Sequence, residues 1–175
     1  QGLPAAERAD IKLMPQGVGP VLAKAFDLPE PAIMGDAPFG DMYLSTKIPA
    51  AKRAAVLDAA LKHYRTHPQV EAVITKDEIA ATPSPSGPPE DWNLIERVRA
   101  NFDPSRSGDF YVALKRYVTP IPNTSFGYVA THGSPWGYDR RVPILFWRKG
   151  LGGFEQPNAV ETADILPTLA SLITL

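Results

Sequence analysis

Apolar and polar positions along this chain follow first a helical and then an alternating rhythm, and the changes of rhythm mark its elements. Val18, Val21, Leu22, Ala25 and Phe26 recur at helical spacing after Gly17, Gly19 and Pro20, which predicts a short amphipathic helix. Residues 41–46 (DMYLST) read as a strand after the turn-forming Gly35, Pro38 and Gly40. Pro49 opens a stronger helix, with Ala54, Leu57, Leu61 and Tyr64 on one apolar stripe. His67-Pro68 closes it, because the residue before proline avoids the helical region. The β-branched residues 70–75 (VEAVIT) follow as a strand. This strand–helix–strand succession predicts a small α/β lobe over residues 1–80.

Residues 80–89 (AATPSPSGPP) carry too much proline and serine for regular structure. Asp91, Ile95, Val98 and Phe102 then give another helical phase, so residues 81–105 read as a Pro-rich loop and a connecting helix. The third stretch, residues 106–175, reads as strands and a helix. A strand over residues 109–118 is followed by a second over 126–131 (FGYVAT), which delivers His132 and Gly133 at its end. Residues 143–147 (PILFW) are an unbroken apolar run that suits a strand buried on both faces. Residues 162–173 (TADILPTLASLI) predict a helix with Asp164 near its start and Pro167 in its first turn.

Composition narrows the chemistry. The net charge is −1 with acids and bases interspersed, so no basic patch exists to hold a nucleic acid. Cysteine is absent, which removes disulfides, thiolate catalysis and Cys-based zinc sites. No apolar run approaches the roughly 20 residues that span a bilayer, and no secretory signal opens the sequence. There is no P-loop, GxGxxG or GxSxG element, so no cofactor-binding motif is assigned. The chain opens on Gln1 and its apolar helix runs towards Leu175 without a cap, so a portion of a longer polypeptide is expected.

Three histidines are present. His63 lies off the apolar stripe of its helix and reads as an exposed side chain. His67 sits in the last turn, where a partly charged imidazole favours the helix dipole. His132 ends a strand and precedes Gly133-Ser134-Pro135, a sharp turn that fixes the imidazole direction. By itself that setting suits a structural histidine as well as a metal ligand.

Residues 131–147 (THGSPWGYDRRVPILFW) resemble the THGSPxxYDxxVPxxFW segment of bacterial alkaline phosphatases of the phosphate-irrepressible, Sphingomonas type. That group is related to the nucleotide pyrophosphatase/phosphodiesterases within the alkaline phosphatase superfamily. Residues 160–170 (VETADILPTLA) resemble the helix that follows there, 106–109 (RSGD) the entry to a preceding strand, and 70–73 (VEAV) an earlier strand. The resemblance implies the carboxyl-terminal part of an α/β sandwich around a mixed, largely parallel sheet. Residues 106–175 would then belong to the phosphatase core. It implies a zinc-dependent hydrolysis of phosphate monoesters through a covalent phospho-enzyme, with His132 as a zinc ligand and two Zn2+ ions per complete site. The nucleophile and the other ligands are expected upstream, so no catalytic residue is assigned in this chain and the chain alone is expected to be inactive. Its partners would be the missing amino-terminal portion of the enzyme and a small phosphate-ester substrate, with no nucleic acid or membrane. The resemblance also implies a periplasmic or secreted location. Asp139 is expected to serve the turn and Asp164 to cap its helix, while Arg141 stands where the family often has histidine. The alternatives are a phosphodiesterase or nucleotide pyrophosphatase of the same superfamily, and a non-catalytic α/β binding module.

Overall fold

The computed structural model describes residues 6–125 and 127–173. In chain order its elements are β1 (Glu7–Arg8), α1 (Pro15–Ala25), β2 (Ile33–Met34), β3 (Gly40–Leu44), α2 (Ala50–Arg65), β4 (Val70–Thr75), α3 (Lys76–Ala81), α4 (Leu94–Arg99), β5 (Phe110–Leu114), β6 (Val118–Thr119), α5 (Gly137–Arg140) and α6 (Ile165–Leu172). The chain is α/β, as expected.

The main sheet has the strand order β2-β3-β5-β4, and every pairing in it is antiparallel. Because β3 and β4 both run against β5, they are parallel to each other with β5 between them. The strand–helix–strand unit read from the sequence is therefore a split one. Its central strand comes from residues 110–114, well beyond the boundary expected at residue 80.

Side chains on the two sheet faces build two clusters. Phe110, Val112 and Leu114 of β5 face α1 and α2, packing with Val18, Leu22, Val56, Leu61 and Tyr64. Tyr111, on the opposite face by strand alternation, joins Ile74 and Ile79 and Val98 under α3 and α4. On β4, Val70 and Val73 reach the first cluster although they are three residues apart. A bulge between Val70 and Ala72 makes that possible, since the extra residue resets the alternation. Along α2 the buried positions are Val56, Ala60, Leu61 and Tyr64, with Leu57 only partly covered and Ala54 exposed. The buried stripe is thus rotated from the one expected, because α1 and the sheet both claim part of the helix circumference.

The turn at RSGD locks this lobe. Gly108 lies against β3 so closely that a Cβ would sit 2.5 Å from the Met42 carbonyl oxygen. Asp41 accepts from the Gly108 amide at 2.8 Å, and Asp109 accepts from the Leu44 amide at 2.7 Å and pairs with Arg53 at 2.6 Å.

The predicted strand 109–118 is split into β5 and β6, because Tyr117 takes a left-handed conformation (φ 67°) that no strand can continue. β6 pairs instead in parallel with β1. The strands predicted over 126–131 and 143–147 are not formed: residues 127–131 and 143–147 have no regular structure, and Phe126 lies outside the described residues. A strand needs a neighbouring edge for its amides and carbonyls, and among the described residues none runs beside either segment. Leu145 and Trp147 are consequently 89% and 85% exposed. The predicted helix over 162–173 does form, as a 3-10 turn over Thr162–Asp164 continued by α6, with Pro167 in the first turn of α6.

Candidate active-site turn around His132

Residues 131–141 form a turn whose parts are fastened one by one. Gly133 adopts φ 101°, a region that only glycine enters without strain. The Ser134 amide donates to the Asp139 carboxylate at 2.6 Å. The Pro135 carbonyl accepts from the guanidinium of Arg97, on α4, at 3.3 Å. Trp136 is buried, its indole N–H donates to the Leu114 carbonyl at 2.9 Å, and Arg116 lies over its ring. Trp136 also precedes the first residue of α5, so the indole anchors that helix to the end of β5. Tyr138 stacks on Tyr117 at 5.2 Å and accepts the Tyr117 amide on its hydroxyl, which holds the left-handed residue in place.

His132 is not fastened in this way. Its imidazole is exposed and has no hydrogen-bond or ion-pair partner among the described residues. It stands between two clefts. One, of about 400 Å³, is walled by Arg97, Asn101 and Tyr111 on one side and by Ser134, Asp139 and Arg140 on the other. The second, of about 280 Å³, opens towards Tyr117 and Tyr138. An imidazole with both ring nitrogens uncommitted, carried on a fastened turn, can bind a metal ion or a substrate oxyanion.

The described residues do not by themselves build a metal site. Among the described residues no three His, Asp or Glu side chains converge, whereas a catalytic zinc takes about three protein ligands. Asp139 is committed to the Ser134 amide, the structural role expected of it. Asp164 accepts from the Glu161 amide at 2.8 Å and fastens the 3-10 turn; it stands at the N-cap position of α6 but does not make the side-chain capping bond expected of it there. Arg141 is exposed on the far end of the turn. His63 sits on the exposed side of α2, 3.3 Å from the Lys12 carbonyl. His67 is held by Asp10 at 3.5 Å and accepts from the Gln69 amide, so it ties β4 to the amino-terminal segment. Arg97, Asn101 and Tyr111 are cleft residues that sequence reasoning missed. Arg97 lies on α4 and Asn101 in the turn just past its end, but nothing local says that His132 lies opposite.

The chain matches no family model. Over 175 residues it is 55% identical to alkaline phosphatase PhoK of a Sphingomonas species, an alignment spanning 99% of this chain and 31% of that protein. Over 177 residues it is 46% identical to alkaline phosphatase PhoD of Zymomonas mobilis subsp. mobilis, again 31% of that protein. Over its whole length the chain is thus similar to two alkaline phosphatases. It spans about a third of the length of these curated relatives. In this turn Gly133, Asp139 and Trp136 hold the backbone and leave the His132 imidazole projecting. No helix among the described residues is long and apolar enough to cross a membrane.

Proposed function

We propose that this chain is the carboxyl-terminal part of a zinc-dependent alkaline phosphatase that hydrolyses phosphate monoesters, and that His132 supplies one ligand to a zinc ion. The observation that carries this reading is the free imidazole of His132 on a turn in which its neighbours Ser134, Pro135, Trp136, Tyr138 and Asp139 are all hydrogen-bonded. The remaining zinc ligands, a second zinc site and the hydroxyl nucleophile belong to the rest of the enzyme. In the reaction that nucleophile takes the phosphoryl group and the alcohol departs with a proton. Water then releases inorganic phosphate.

The apolar surface of the last fifty residues supports the same reading. Leu145, Trp147 and Phe154 are each more than 80% exposed, and they line or adjoin a cleft of about 510 Å³ with Val160, Ile165 and Leu172. A contiguous exposed patch of this kind marks an interaction surface. Its occupant is the upstream portion of the same polypeptide, which would give residues 143–147 the strand neighbours they lack here.

The test uses the enzyme that contains this chain. It hydrolyses 4-nitrophenyl phosphate, loses activity on chelation and regains it with added Zn2+. Absence of monoester hydrolysis, or full activity after exhaustive chelation, overturns the proposal.

A further inference from the structure

Two arginines meet on the wall of the His132 cleft without a counter-ion. Arg97 comes from α4 and Arg140 from α5, and neither forms an ion pair among the described residues. Each is held in place by a neutral group. Arg97 donates to the Pro135 carbonyl at 3.3 Å, and Arg140 donates to the Pro89 carbonyl at 3.2 Å while lying over the Trp92 ring. Burial depresses the Arg140 pKa, the charge of Arg97 depresses it further, and Glu161 opposes from a distance. A guanidinium does not give up its proton in a protein, so the repulsion persists until an anion relieves it.

The same wall holds two orphaned polar atoms. Nε of Arg97 and Oγ of Ser134 are both buried and lack any hydrogen-bond partner. Buried polar atoms of this kind take a partner from outside the described residues, and an anion in the cleft would supply one. The one carboxylate lining this cleft is Asp139, and its Oδ2 already accepts the Ser134 amide. Arginines fixed by carbonyls and an aromatic face, with a spare N–H, a spare hydroxyl and the Asn101 amide nearby, form a receptor for an oxyanion.

We propose that this cleft binds a second phosphate group of the substrate, beside the phosphate ester that reacts at His132. The inference rests on the reaction centre proposed above. It narrows the substrate class to phosphate monoesters whose leaving group carries a phosphate of its own. The volume of about 400 Å³ accommodates such a group, and small-molecule sites begin at roughly 300 Å³.

The experiment compares 1,3-propanediol bisphosphate with propyl phosphate as substrates of the enzyme containing this chain. The readout is the ratio of their kcat/KM values. The unaltered enzyme favours the bisphosphate, and Arg97→Gln and Arg140→Gln each lower that preference about tenfold, the scale of one charge-assisted hydrogen bond. Arg97→Lys and Arg140→Lys retain more of it, since the charge remains. Partial misfolding cannot imitate this result, because it removes both activities in the same proportion. A ratio unchanged in the glutamine variants, or no preference in the unaltered enzyme, overturns the inference while leaving the phosphatase proposal standing. An enzyme that hydrolyses neither compound overturns both.

Discussion

The Asp139 carboxylate accepts the Ser134 amide at 2.6 Å, closing a six-residue loop two positions after His132. This bond decides where the imidazole stands, since Gly133 between them offers no side chain to restrain the backbone. Asp139 thereby acts on His132 through the turn.

Asp139→Ala is therefore expected to lower zinc affinity and kcat/KM of the enzyme by about 10- to 100-fold, the range for groups that orient a ligand. Asp139→Asn keeps an acceptor oxygen and retains most of both. Metal titration separates the two variants. Equal behaviour of Ala and Asn would show that the bond to Ser134 is not what matters.

Asp109 and Gly108 hold the lobe on which the cleft is built. Asp109→Ala frees the Leu44 amide and the Arg53 guanidinium together, an expected loss of about 1–3 kcal/mol. Gly108→Ala is expected to be at least as damaging, because its Cβ would sit 2.5 Å from the Met42 carbonyl oxygen and must displace β3. Thermal denaturation of each variant measures this.

Burial pushes the Tyr64 hydroxyl well above its ordinary value and that of Tyr111 up to about 12, with the Asp41 charge adding to the latter. In the unfolded chain both ionise near pH 10. Between pH 10 and about 12 the folded state thus binds more protons than the unfolded one, and stability falls as pH rises through that window. Tyr111→Phe is expected to flatten the alkaline limb. Tyr64→Phe does the same but also loses the bond to the Leu13 carbonyl, about 1 kcal/mol at neutral pH. Melting temperatures followed from neutral pH into this window test the sign.

Leu145 should change its surroundings in the whole enzyme. It is exposed here, and the proposed covering by the upstream portion predicts that it is buried in the whole enzyme. Leu145→Glu is expected to destabilise the full enzyme by several kcal/mol, through an unpaired charge in an apolar site. The same substitution leaves the isolated chain's melting nearly unchanged. Equal effects in both would contradict the assigned covering.

Local patterns predicted local structure well. The helix after Pro49 and the strand over 70–75 follow from spacing and β-branching, which act within a few residues. What escaped is what depends on distant partners. Insertion of β5 between β3 and β4 is set by the contact of Gly108 with Met42, 66 positions apart in the numbering. Residues 143–147 carry a strand's composition, but composition supplies no edge to pair with. At the candidate site, the histidine was legible through its turn and its resemblance. The arginines facing it were not, because Arg97 approaches from a helix 35 positions earlier in the numbering.

Metal content tests the role of the His132 imidazole without reference to turnover. Elemental analysis of the purified enzyme carrying His132→Ala is predicted to find zinc reduced relative to the unaltered enzyme, with the fold intact by circular dichroism. Zinc retained at the unaltered level in that variant would contradict the account.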